Sequence, residues 1–401
     1  MRAAGSNCSL LHFCSPCTPR RSQSSPSVAG LYVHVPFCRS PHAYDDSFAV
    51  PIDEADPSAY VSALCRELRA HAQTYATQEP IHTVYAGGGR PSLLSLGAVH
   101  SVLSTMIDVF DASAVEEASA ELHPADATPG YVRGLRRMGF DRIHLPVLSF
   151  FPDDLRALDA SHTTADAIHA LHLVRRAFDR VSIDLFFGWP EQSASHWRAG
   201  LELAVELGVA HITVVEATPN GAPTADADTR ADRLEFAMTF LQSEGYQQYE
   251  LTHFARPGAR SAHQELYYSH GNYLGLGPSA ESFWWTDRDA AARGHRWANV
   301  SDLDEYLALL EAGESPVAYR ETLDAPALAR EYLLLRLRTA EGADVSLLAD
   351  RYGFDVCEKR SAVLARLRDD GLLHPDPQAL RLTNRGRLVA DAIASRLLPS
   401  P

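Results

Sequence analysis

From Leu31 to about Phe283, short apolar runs alternate with longer stretches in which apolar residues recur at helical spacing. The predicted strands are 31–35, 82–86, 118–122, 142–147, 181–187 and 211–215. The predicted helices that follow them are 59–75, 95–109, 129–138, 164–178, 195–207 and 226–244. Strand-then-helix units of this length predict parallel strands joined by helical crossovers, hence an α/β barrel or an open parallel sheet.

After Phe283 the pattern changes to helices separated by Gly and Pro, predicted at 301–312, 325–338, 344–352 and 358–370. Two short apolar segments near Gly371 and Leu380 then predict a two-stranded wing before a closing helix. We therefore divide the chain into a tail at 1–29, a barrel at 30–285, linker helices at 286–324 and a winged-helix-like domain at 325–401. The last domain is interpreted as a packing module rather than a DNA-binding one, because the chain is acidic.

Composition and charge indicate a globular protein and disfavour two kinds of partner, nucleic acid and the membrane interior. Apolar residues make up 46% of the chain, which is typical of globular proteins, and the formal net charge is −15. Such a charge disfavours nucleic acid as a partner, because its phosphates would be repelled. No run of about 18 apolar residues occurs, so we expect no membrane span and a soluble protein.

Cysteine usage indicates the compartment. Three of the six cysteines lie within the first seventeen residues, and the long remainder has few, which favours a reducing, cytoplasmic location over a disulfide framework. The segment 1–29 has no acidic residue and is rich in Ser, Pro and Cys, which predicts a disordered tail. A transit-like segment and a start site assigned too far upstream are the alternatives.

The strand at 31–35 ends in Pro36-Phe37-Cys38, followed by His42 and Asp45. This loop resembles the iron–sulfur loop of the radical S-adenosylmethionine enzymes, specifically the heme chaperones of the HemW type and the oxygen-independent coproporphyrinogen III oxidases. In that family Tyr-hydrophobic-His-hydrophobic-Pro-Phe-Cys opens a C-x3-C-x2-C motif. Here the second and third positions are His42 and Asp45, so one thiolate of three is present.

The resemblance implies a partial (β/α)6 barrel with its chemistry at the carboxyl ends of the strands, a [4Fe–4S] cluster and S-adenosylmethionine. Cys38, His42 and Asp45 form a ligand set that suits a reduced cluster poorly, which argues against the radical reaction. Three interpretations of the loop stay open: an exposed turn that holds nothing, an altered cluster, or a mononuclear Zn or Fe site. Cys14 and Cys17 are a further source of thiolates.

Later segments resemble the family's S-adenosylmethionine-binding motifs. Gly87-Gly88-Gly89-Arg90-Pro91-Ser92 matches Gly-Gly-Gly-Thr-Pro-Ser, and Glu121 opens a match to Glu-x-Asn-Pro. Asp184 matches the aspartate of the family's Asp-Leu-Ile-Tyr-Gly strand. The resemblance implies that the cofactor is contacted by Tyr32, Gly88, Gly89, Glu121 and Asp184.

Several positions depart from the family pattern. Arg90 replaces a threonine and either points toward the ligand position, faces solvent or pairs with a carboxylate. His123 replaces an asparagine, and Leu148 replaces a glutamine that contacts the cofactor. Pro146 replaces a glycine, and Ala160 an arginine. Scaffold positions thus match, while several ligand positions do not.

Two further segments resemble the family, and the second is associated with a tetrapyrrole. Residues 249–258, Tyr-Glu-Leu-Thr-His-Phe-Ala-Arg-Pro-Gly, resemble the family's Tyr-Glu-Ile-Ser-Asn-Phe-Ala-Arg-Pro-Gly. His263-Gln264-Glu-Leu-Tyr-Tyr268 resembles a His-Asn-x-x-Tyr-Trp segment associated with heme in the chaperone branch. His263 is therefore a candidate axial ligand to heme iron, and the alternative is a histidine hydrogen-bonded within the barrel mouth.

The first functional hypothesis is a HemW-like protein of tetrapyrrole metabolism that binds or traffics heme, with radical chemistry impaired or lost, and that delivers heme to an acceptor protein. The second is an active radical enzyme similar to coproporphyrinogen oxidase. The third is a noncatalytic scaffold without a small ligand.

Overall fold

The computed structural model describes residues 28–40, 47–217, 224–288 and 292–398. The predicted tail at 1–29 lies outside these residues except for its last two, and Ala29 already belongs to the first strand. The chain divides into two compact units. The first contains the chain as far as Ile183 with Tyr273–Glu281 and Ala298–Tyr319, and the second contains Asp184–Asn272, Ser282–Trp297 and the chain from Arg320.

The strands are β1 Ala29–Val35, β2 Phe37–Cys38, β3 Val50–Pro51, β4 Ile81–Gly88, β5 Glu117–Glu121, β6 Arg142–Leu148, β7 Arg180–Phe187, β8 His211–Glu216, β9 Gln247–Gln248, β10 His253–Ala255, β11 Asn272–Leu276, β12 Glu281–Asp287, β13 Arg293–Asn299, β14 Val317–Leu323, β15 Ala343–Asp344 and β16 Ala379–Leu380.

The α-helices are α1 Pro57–Tyr75, α2 Leu96–Val109, α3 Pro129–Met138, α4 Pro152–Ala157, α5 Thr164–Arg175, α6 Ala194–Glu206, α7 Ala227–Ser243, α8 Ala262–Tyr268, α9 Leu303–Ala312, α10 Ala325–Leu337, α11 Val345–Asp350, α12 Val356–Lys359, α13 Ser361–Asp369, α14 Asn384–Arg387 and α15 Ala390–Leu397. Within the described residues, no helix is both long and apolar enough to cross a membrane.

The first unit is built on parallel strands. Its strands are hydrogen-bonded in the order β11-β1-β4-β5-β6, and β1, β4, β5 and β6 are parallel. The register places Val35 beside Gly88 and Glu121 beside His144. The carboxyl ends of these strands therefore lie at one edge, where the conserved chemistry of such folds is located.

Local signals explain why the predicted helices form. Asp56 accepts hydrogen bonds from the Ser58 and Ala59 amides, and Pro57 occupies the first helical position of α1. Helix α3 begins after a Thr128 cap and ends at Gly139, whose φ of 100° terminates it. The six predicted strands and the six helices between 59 and 244 are confirmed, with small shifts at their ends.

A buried carboxylate connects the first helix to distant parts of the first unit. Glu67 on α1 accepts hydrogen bonds from the Gly277 amide at 2.8 Å, the Asn299 Nδ2 at 2.6 Å and the Tyr306 hydroxyl at 2.6 Å. Burial, and then the charge of Glu67, raise the pKa of Tyr306, so its hydroxyl stays protonated and donates. We call Glu67 and these three donors the Glu67 network. The donors take the place of the water that a buried charge requires.

The second unit contains antiparallel pairing. Strand β10 runs antiparallel to both β8 and β9, and His253 lies opposite Thr213. Strands β12 and β13 are hydrogen-bonded neighbours. Since β10 is only three residues long, its pattern was too short to predict from periodicity.

The prediction of linker helices at 286–324 is wrong in most of its length. This segment contains the end of β12, then β13 and β14, and α9 is the helix within its described part. The burial along β13 places Gly294, Trp297 and Asn299 inside, while Arg293 is exposed. Aromatic side chains such as Trp297 favour a strand, and the Gly and Arg residues around it hid that signal.

The C-terminal segment agrees with the predicted helices and short strands. The helix predicted at 358–370 is divided at Arg360 into α12 and α13. The expected wing is present as an isolated bridge between Leu373 and Leu382, beside the antiparallel pair of β15 and β16. The division into a barrel and a separate C-terminal domain stays a prediction.

His270 anchors an aromatic cluster in the second unit. Its ring stacks on Phe283 at 4.7 Å between centroids and lies 4.9 Å from Trp285 in an edge-on arrangement. Its two nitrogens bond the Tyr352 hydroxyl at 3.1 Å and the Glu331 carboxylate at 3.3 Å. Burial, with the nearby charges of three arginines, lowers the pKa of His270 to about 3, so the ring is neutral.

We expect Glu67→Ala to lower the free energy of unfolding by about 3 kcal/mol or more, because it leaves three buried donors without their acceptor. Urea denaturation followed by circular dichroism measures this. The control is Glu202→Ala, which removes an exposed glutamate from α6 and should change stability by less than about 0.5 kcal/mol. Equal losses for the two variants would contradict the importance of the Glu67 network.

Stability should fall as the pH drops below 6.5. The folded pKa of His270 lies below its unfolded value, so the unfolded chain binds a proton that the native chain does not. The free energy of unfolding therefore keeps its full value, as far as His270 is concerned, above pH 6.5. It declines from there toward pH 3 by at most about 1.4 kcal/mol per pH unit. Urea midpoints measured from pH 7 to pH 5 avoid most carboxylate titration.

The matched variant is His270→Asn, since Asn tolerates the left-handed backbone that His270 adopts at φ 60°. It should be less stable at pH 7 but should lose less stability between pH 7 and pH 5. If the wild type and His270→Asn lost equal stability between pH 7 and pH 5, the pH dependence could not be assigned to His270.

Candidate functional site

Aromatic and imidazole side chains share one face of β1 and β4. Tyr32 and His34 are two residues apart, so they point to the same side of the strand. The Tyr32 hydroxyl lies 3.1 Å from His34 Nδ1, and its ring stacks on Tyr85 at 6.2 Å. His34 Nε2 donates to the Phe48 carbonyl at 2.7 Å, which fixes the imidazole and directs Nδ1 toward Tyr32.

Gly88 and Gly89 are required by close approaches. Gly88 has a φ of 101°, and a Cβ there would lie 2.5 Å from His34 Nδ1. A Cβ on Gly89 would lie 2.6 Å from the Phe37 carbonyl oxygen. The Gly89 amide donates to the Val35 carbonyl at 3.0 Å. The glycines therefore bring the end of β4 against the end of β1, whatever ligand the edge holds.

Glu121 ends β5 beside the same cluster. Its Oε1 accepts a hydrogen bond from the Tyr85 hydroxyl at 2.8 Å. Tyr85 stacks on Tyr32, and Tyr32 in turn lies against His34, which contacts Gly88. The Glu121 carboxylate is therefore connected to Gly88 through these side chains. The structure thus brings Tyr32, Gly88, Gly89 and Glu121 together on adjacent strands, with Gly88, Gly89 and Glu121 at the carboxyl ends.

Arg90 pairs with a carboxylate, which was one of its three predicted arrangements. Its Nε and Nη2 donate to the two oxygens of Asp126 at 2.6 and 2.8 Å. Ser92 donates to the same carboxylate at 2.7 Å. Arg90 is only 5% exposed, so its guanidinium is committed to a bidentate, largely buried pair.

The pair continues into a line of polar side chains. Arg90 Nη1 lies 3.4 Å from Ser161 Oγ, which in turn lies 3.0 Å from His123 Nε2. The His123 ring packs edge-on against His162 at 5.3 Å. His162 Nε2 donates to the Val147 carbonyl at 3.0 Å. Residues of this chain thus form a connected network at the ends of β4, β5 and β6.

Asp126 remains charged in this network. Burial alone would raise its pKa, but hydrogen bonds from Arg90 and Ser92 and the positive charge of Arg90 lower it overall. Exposed Arg39 adds a second guanidinium, 3.5 Å from Asp126. The carboxylate is therefore held as an anion between two cations.

The predicted metal ligands are only partly described. Cys38 ends β2 and is 6% exposed, and β2 pairs with β3 through Cys38 and Pro51. His42 and Asp45 lie outside the described residues, as do Cys14 and Cys17. In the part of the chain that is described, no group of three or more His, Cys, Asp or Glu side chains could hold a metal ion.

The residues at positions 38, 42 and 45 differ from the three thiolates of the family motif. In the sequence, one soft thiolate is followed by an imidazole and a carboxylate where three thiolates are needed. Cys65 is not a replacement within the first unit, because it lies on α1 with its sulfur accepting from Thr105 at 3.3 Å. The alternatives for the loop, including a mononuclear site, stay predictions.

The changed residues of β6 alter the backbone. Pro146 supplies no amide hydrogen within this strand, and Leu148 has a φ of 62°. A left-handed backbone is rare for a leucine and costs about 1–2 kcal/mol. The position that carries a cofactor-binding glutamine in the family is thus a strained apolar residue here.

The two remaining predicted residues belong to the second unit. Asp184 lies in β7 and is half-buried. His263 lies on α8, is 1% exposed and has Nε2 at 2.9 Å from the Tyr267 hydroxyl. This hydrogen bond is of the kind expected under the alternative interpretation, in which His263 is hydrogen-bonded within the protein. The role of His263 as an axial ligand to heme iron stays a prediction.

The second unit also contains a histidine–carboxylate cluster that sequence reasoning missed. His253 Nδ1 lies 2.8 Å from Glu250 Oε2, and Glu250 Oε1 accepts from Arg338 Nε at 2.7 Å. Burial raises the pKa of Glu250, but the hydrogen bond and charge of His253 and the charge of Arg338 lower it to about 2. Glu250 is therefore an anion at neutral pH.

Some of these residues carried a signal in the sequence. His34 alternates with Tyr32, which places both on one face of β1. Arg90 stood out as a replacement of a threonine, but nothing in the sequence marked Asp126, 36 positions later, as its partner. The Glu250–Arg338 pair spans 88 positions and had no such signal.

We expect Gly88→Ala to destabilise the protein by about 2 kcal/mol or more, because the new Cβ meets His34 on a left-handed backbone. Thermal unfolding followed by circular dichroism measures the loss. The control is Gly130→Ala in α3, where a Cβ meets nothing within 4 Å and stability should stay equal or rise by about 1 kcal/mol. If Gly88→Ala were as stable as the wild type, the close approach of Gly88 to His34 would be contradicted.

Comparisons with known proteins agree with the fold. Residues 323–389 match the HemN C-terminal domain. The solved structure of coproporphyrinogen III oxidase (HemN) from Escherichia coli, described as a radical SAM enzyme, superposes with a TM-score of 0.79 at 22% identity. The match covers 93% of this chain and 90% of that one, which confirms the predicted α/β fold class.

Curated relatives cover nearly the whole chain. The heme chaperone HemW of Mycobacterium tuberculosis (strain CDC 1551 / Oshkosh) is 32% identical over 388 residues, covering 92% of this chain and 94% of the relative. The heme chaperone HemW of Bacillus subtilis (strain 168) is 25% identical over 387 residues, covering 92% and 99%. Together with the strand-end motifs, this degree of similarity means that the chain belongs to the HemW/HemN-like radical SAM family.

Proposed function

We propose that this protein is a HemW-like, heme-binding or heme-trafficking protein of tetrapyrrole metabolism in which radical chemistry is impaired or lost. Its partners are heme and an acceptor protein that receives it, and its location is the cytoplasm. The observation that carries the proposal is the ligand loop, which retains one thiolate, Cys38, of the three that a radical enzyme needs.

The heme-binding part is supported by the relatives. Two curated proteins that match over 92% of this chain are named heme chaperones. The second unit supplies buried imidazoles, the side chains most often used to hold heme iron, at positions 211, 253, 263 and 270. His263 is our predicted contact from the sequence, and to ligate iron its Nε2 must leave the Tyr267 hydroxyl.

The loss of radical chemistry is supported by the network at the strand ends. The Gly87–Arg90 segment corresponds to the family motif that holds the amino end of S-adenosylmethionine. Here Arg90 is fixed there by Asp126, and the line continues to Ser161 and His123. A bidentate buried pair is costly to break, so these side chains do not readily give way to a ligand.

The positions that match the family serve the fold under this proposal. Tyr32, Gly88 and Glu121 are connected through His34 and Tyr85, while Gly89 lies against the Phe37 carbonyl, and these contacts need no cofactor. We propose that they retain the form of a cofactor site without its activity, and that Asp184 in the second unit matches the family residue for the same reason. When bound in an active relative, the cluster would supply the electron that cleaves S-adenosylmethionine.

The proposal predicts two results for one purified protein. Added hemin should shift and sharpen the Soret band of free hemin, because an imidazole binds the iron. After anaerobic iron and sulfide reconstitution, the protein should hold well under about four irons per chain and should form no 5′-deoxyadenosine from S-adenosylmethionine.

The control is the double variant His42→Cys with Asp45→Cys, which restores three thiolates at the family spacing. It should take up more iron and sulfide than the wild type under identical conditions. This result would show that the reconstitution procedure can assemble a cluster in this protein. Four irons per wild-type chain with turnover would instead favour an active oxidoreductase similar to coproporphyrinogen oxidase. Neither heme nor iron on the wild type would favour the scaffold hypothesis.

A further inference from the structure

A cavity lies within the first unit, between three of its parallel strands and the helices that cover them. Its volume is about 40 Å³, and side chains of β1, β4 and β5 form one side of its wall while side chains of α1, α2 and α3 form the other. The strands contribute residues such as Val33 and Val84, and the helices contribute Leu64, Val102 and Leu135. The cavity is therefore a gap in the layer that packs the helices onto the sheet.

Two small residues account for this gap. Ala86 of β4 and Ala120 of β5 are partners in the parallel register, and both line the cavity. Each side chain ends at its Cβ, so the two strands together leave a depression beneath the helices. The helices are limited in how far they can move to fill it, because Gly134 of α3 already lies against α2. A Cβ on Gly134 would be 2.4 Å from the Leu96 side chain.

The alternation of side chains along the strands keeps the wall of the cavity apolar. Val84 and Ala86 face the helices, whereas Tyr85 and Gly87 face the opposite side of the sheet. Glu121 accepts its hydrogen bond from Tyr85, and its Oε1 lies 2.8 Å from the place of a Cβ on Gly87. The Glu121 carboxylate is thus turned toward the strand-end site and away from the cavity.

Water is a poor occupant of such a space. A buried water makes about two to four hydrogen bonds, and apolar cavities stay dry. The hydroxyl of Tyr131, the other polar side chain in the wall, already donates to the Leu94 carbonyl at 3.1 Å. A cavity of about 10–15 Å³ holds one water-sized sphere, so one of about 40 Å³ suits an apolar molecule of about two or three heavy atoms.

The wall of the cavity is not sealed between α2 and α3. These two helices pack against each other, and Val99 and Tyr131 lie near their starts. Both residues line the cavity and both are only half-buried. A small molecule can therefore enter past these two side chains while the unit stays folded.

We propose that this cavity binds a small apolar molecule of the size of dioxygen, directly behind the strand-end residues. Dioxygen is the molecule of this size and polarity that is dissolved in every aerobic cell. The site goes beyond the proposed function, because it lies on the face of the sheet opposite to the Glu121 carboxylate and needs neither heme nor a cluster.

The test measures the relaxation of methyl resonances in the full-length protein, with Val and Leu methyl groups labelled, in degassed solution and under dioxygen pressure. Dioxygen is paramagnetic, so it speeds the relaxation of the nuclei that it contacts. We expect a severalfold larger enhancement for Val84, Val102 and Leu103 than for Leu171, which is buried on α5 outside the cavity wall. Equal enhancements at these four positions would overturn the proposal.

The matched variants are Ala120→Val and Ala118→Val, the same change at two positions on one face of β5. Ala120→Val places two methyl groups in the cavity, so it should abolish the enhancement at Val84 and leave the urea midpoint equal or higher. Ala118 is buried outside the cavity wall, so its change should lower the midpoint by overpacking and keep the enhancement at Val84. An enhancement at Val84 that survives in folded Ala120→Val shows that the cavity is not the site.

A second variant covers the case in which Ala120→Val does not fold. Val102→Ile adds one carbon to the opposite wall of the cavity, on α2. It should reduce the enhancement at Val84 and Leu103 relative to the wild type, while Leu171 stays unchanged. If the enhancement at Val84 and Leu103 is the same in Val102→Ile as in the wild type, the proposal is wrong.

Discussion

The buried carboxylate of Glu67 is the constraint on which the first unit depends. It lies on the first helix and bonds Gly277, Asn299 and Tyr306, which are 210 to 239 positions later in the chain. A charge removed from water has to be matched by donors in fixed places. The Glu67 network therefore holds β11 and α9 where the parallel strands need them, so that the strand-end residues stay in register.

The strand ends illustrate how substituted polar positions are accommodated without loss of the fold. Gly88 and Gly89 are still required, because His34 and the Phe37 carbonyl lie where a Cβ would be. The changed residue Arg90 is stabilised by Asp126 and Ser92, and so the site satisfies its own charges. Backbone packing preserves the motif's glycines, while the polar positions around them are free to pair with each other.

Much of the fold could be predicted from the sequence, because six strand-then-helix units give a strong periodic signal and caps such as Asp56 define helix starts. The strands β12 to β14 could not, since charged residues and glycine interrupt their aromatic and apolar positions. The site was partly predictable through motifs around Gly88 and Glu121. The pairs Arg90–Asp126 and Glu250–Arg338 depend on tertiary contacts that no spacing reveals.

The interleaving of the two units has a consequence for biogenesis. The first unit needs Tyr273–Glu281 and Ala298–Tyr319, and these segments are synthesised after the whole of the second unit's Asp184–Asn272 stretch. A nascent chain on the ribosome thus exposes the apolar faces of β1 and α1 until nearly four-fifths of the polypeptide has emerged. Such late closure of long loops is slow and aggregation-prone, so cellular folding factors should have a long interval in which to engage this chain.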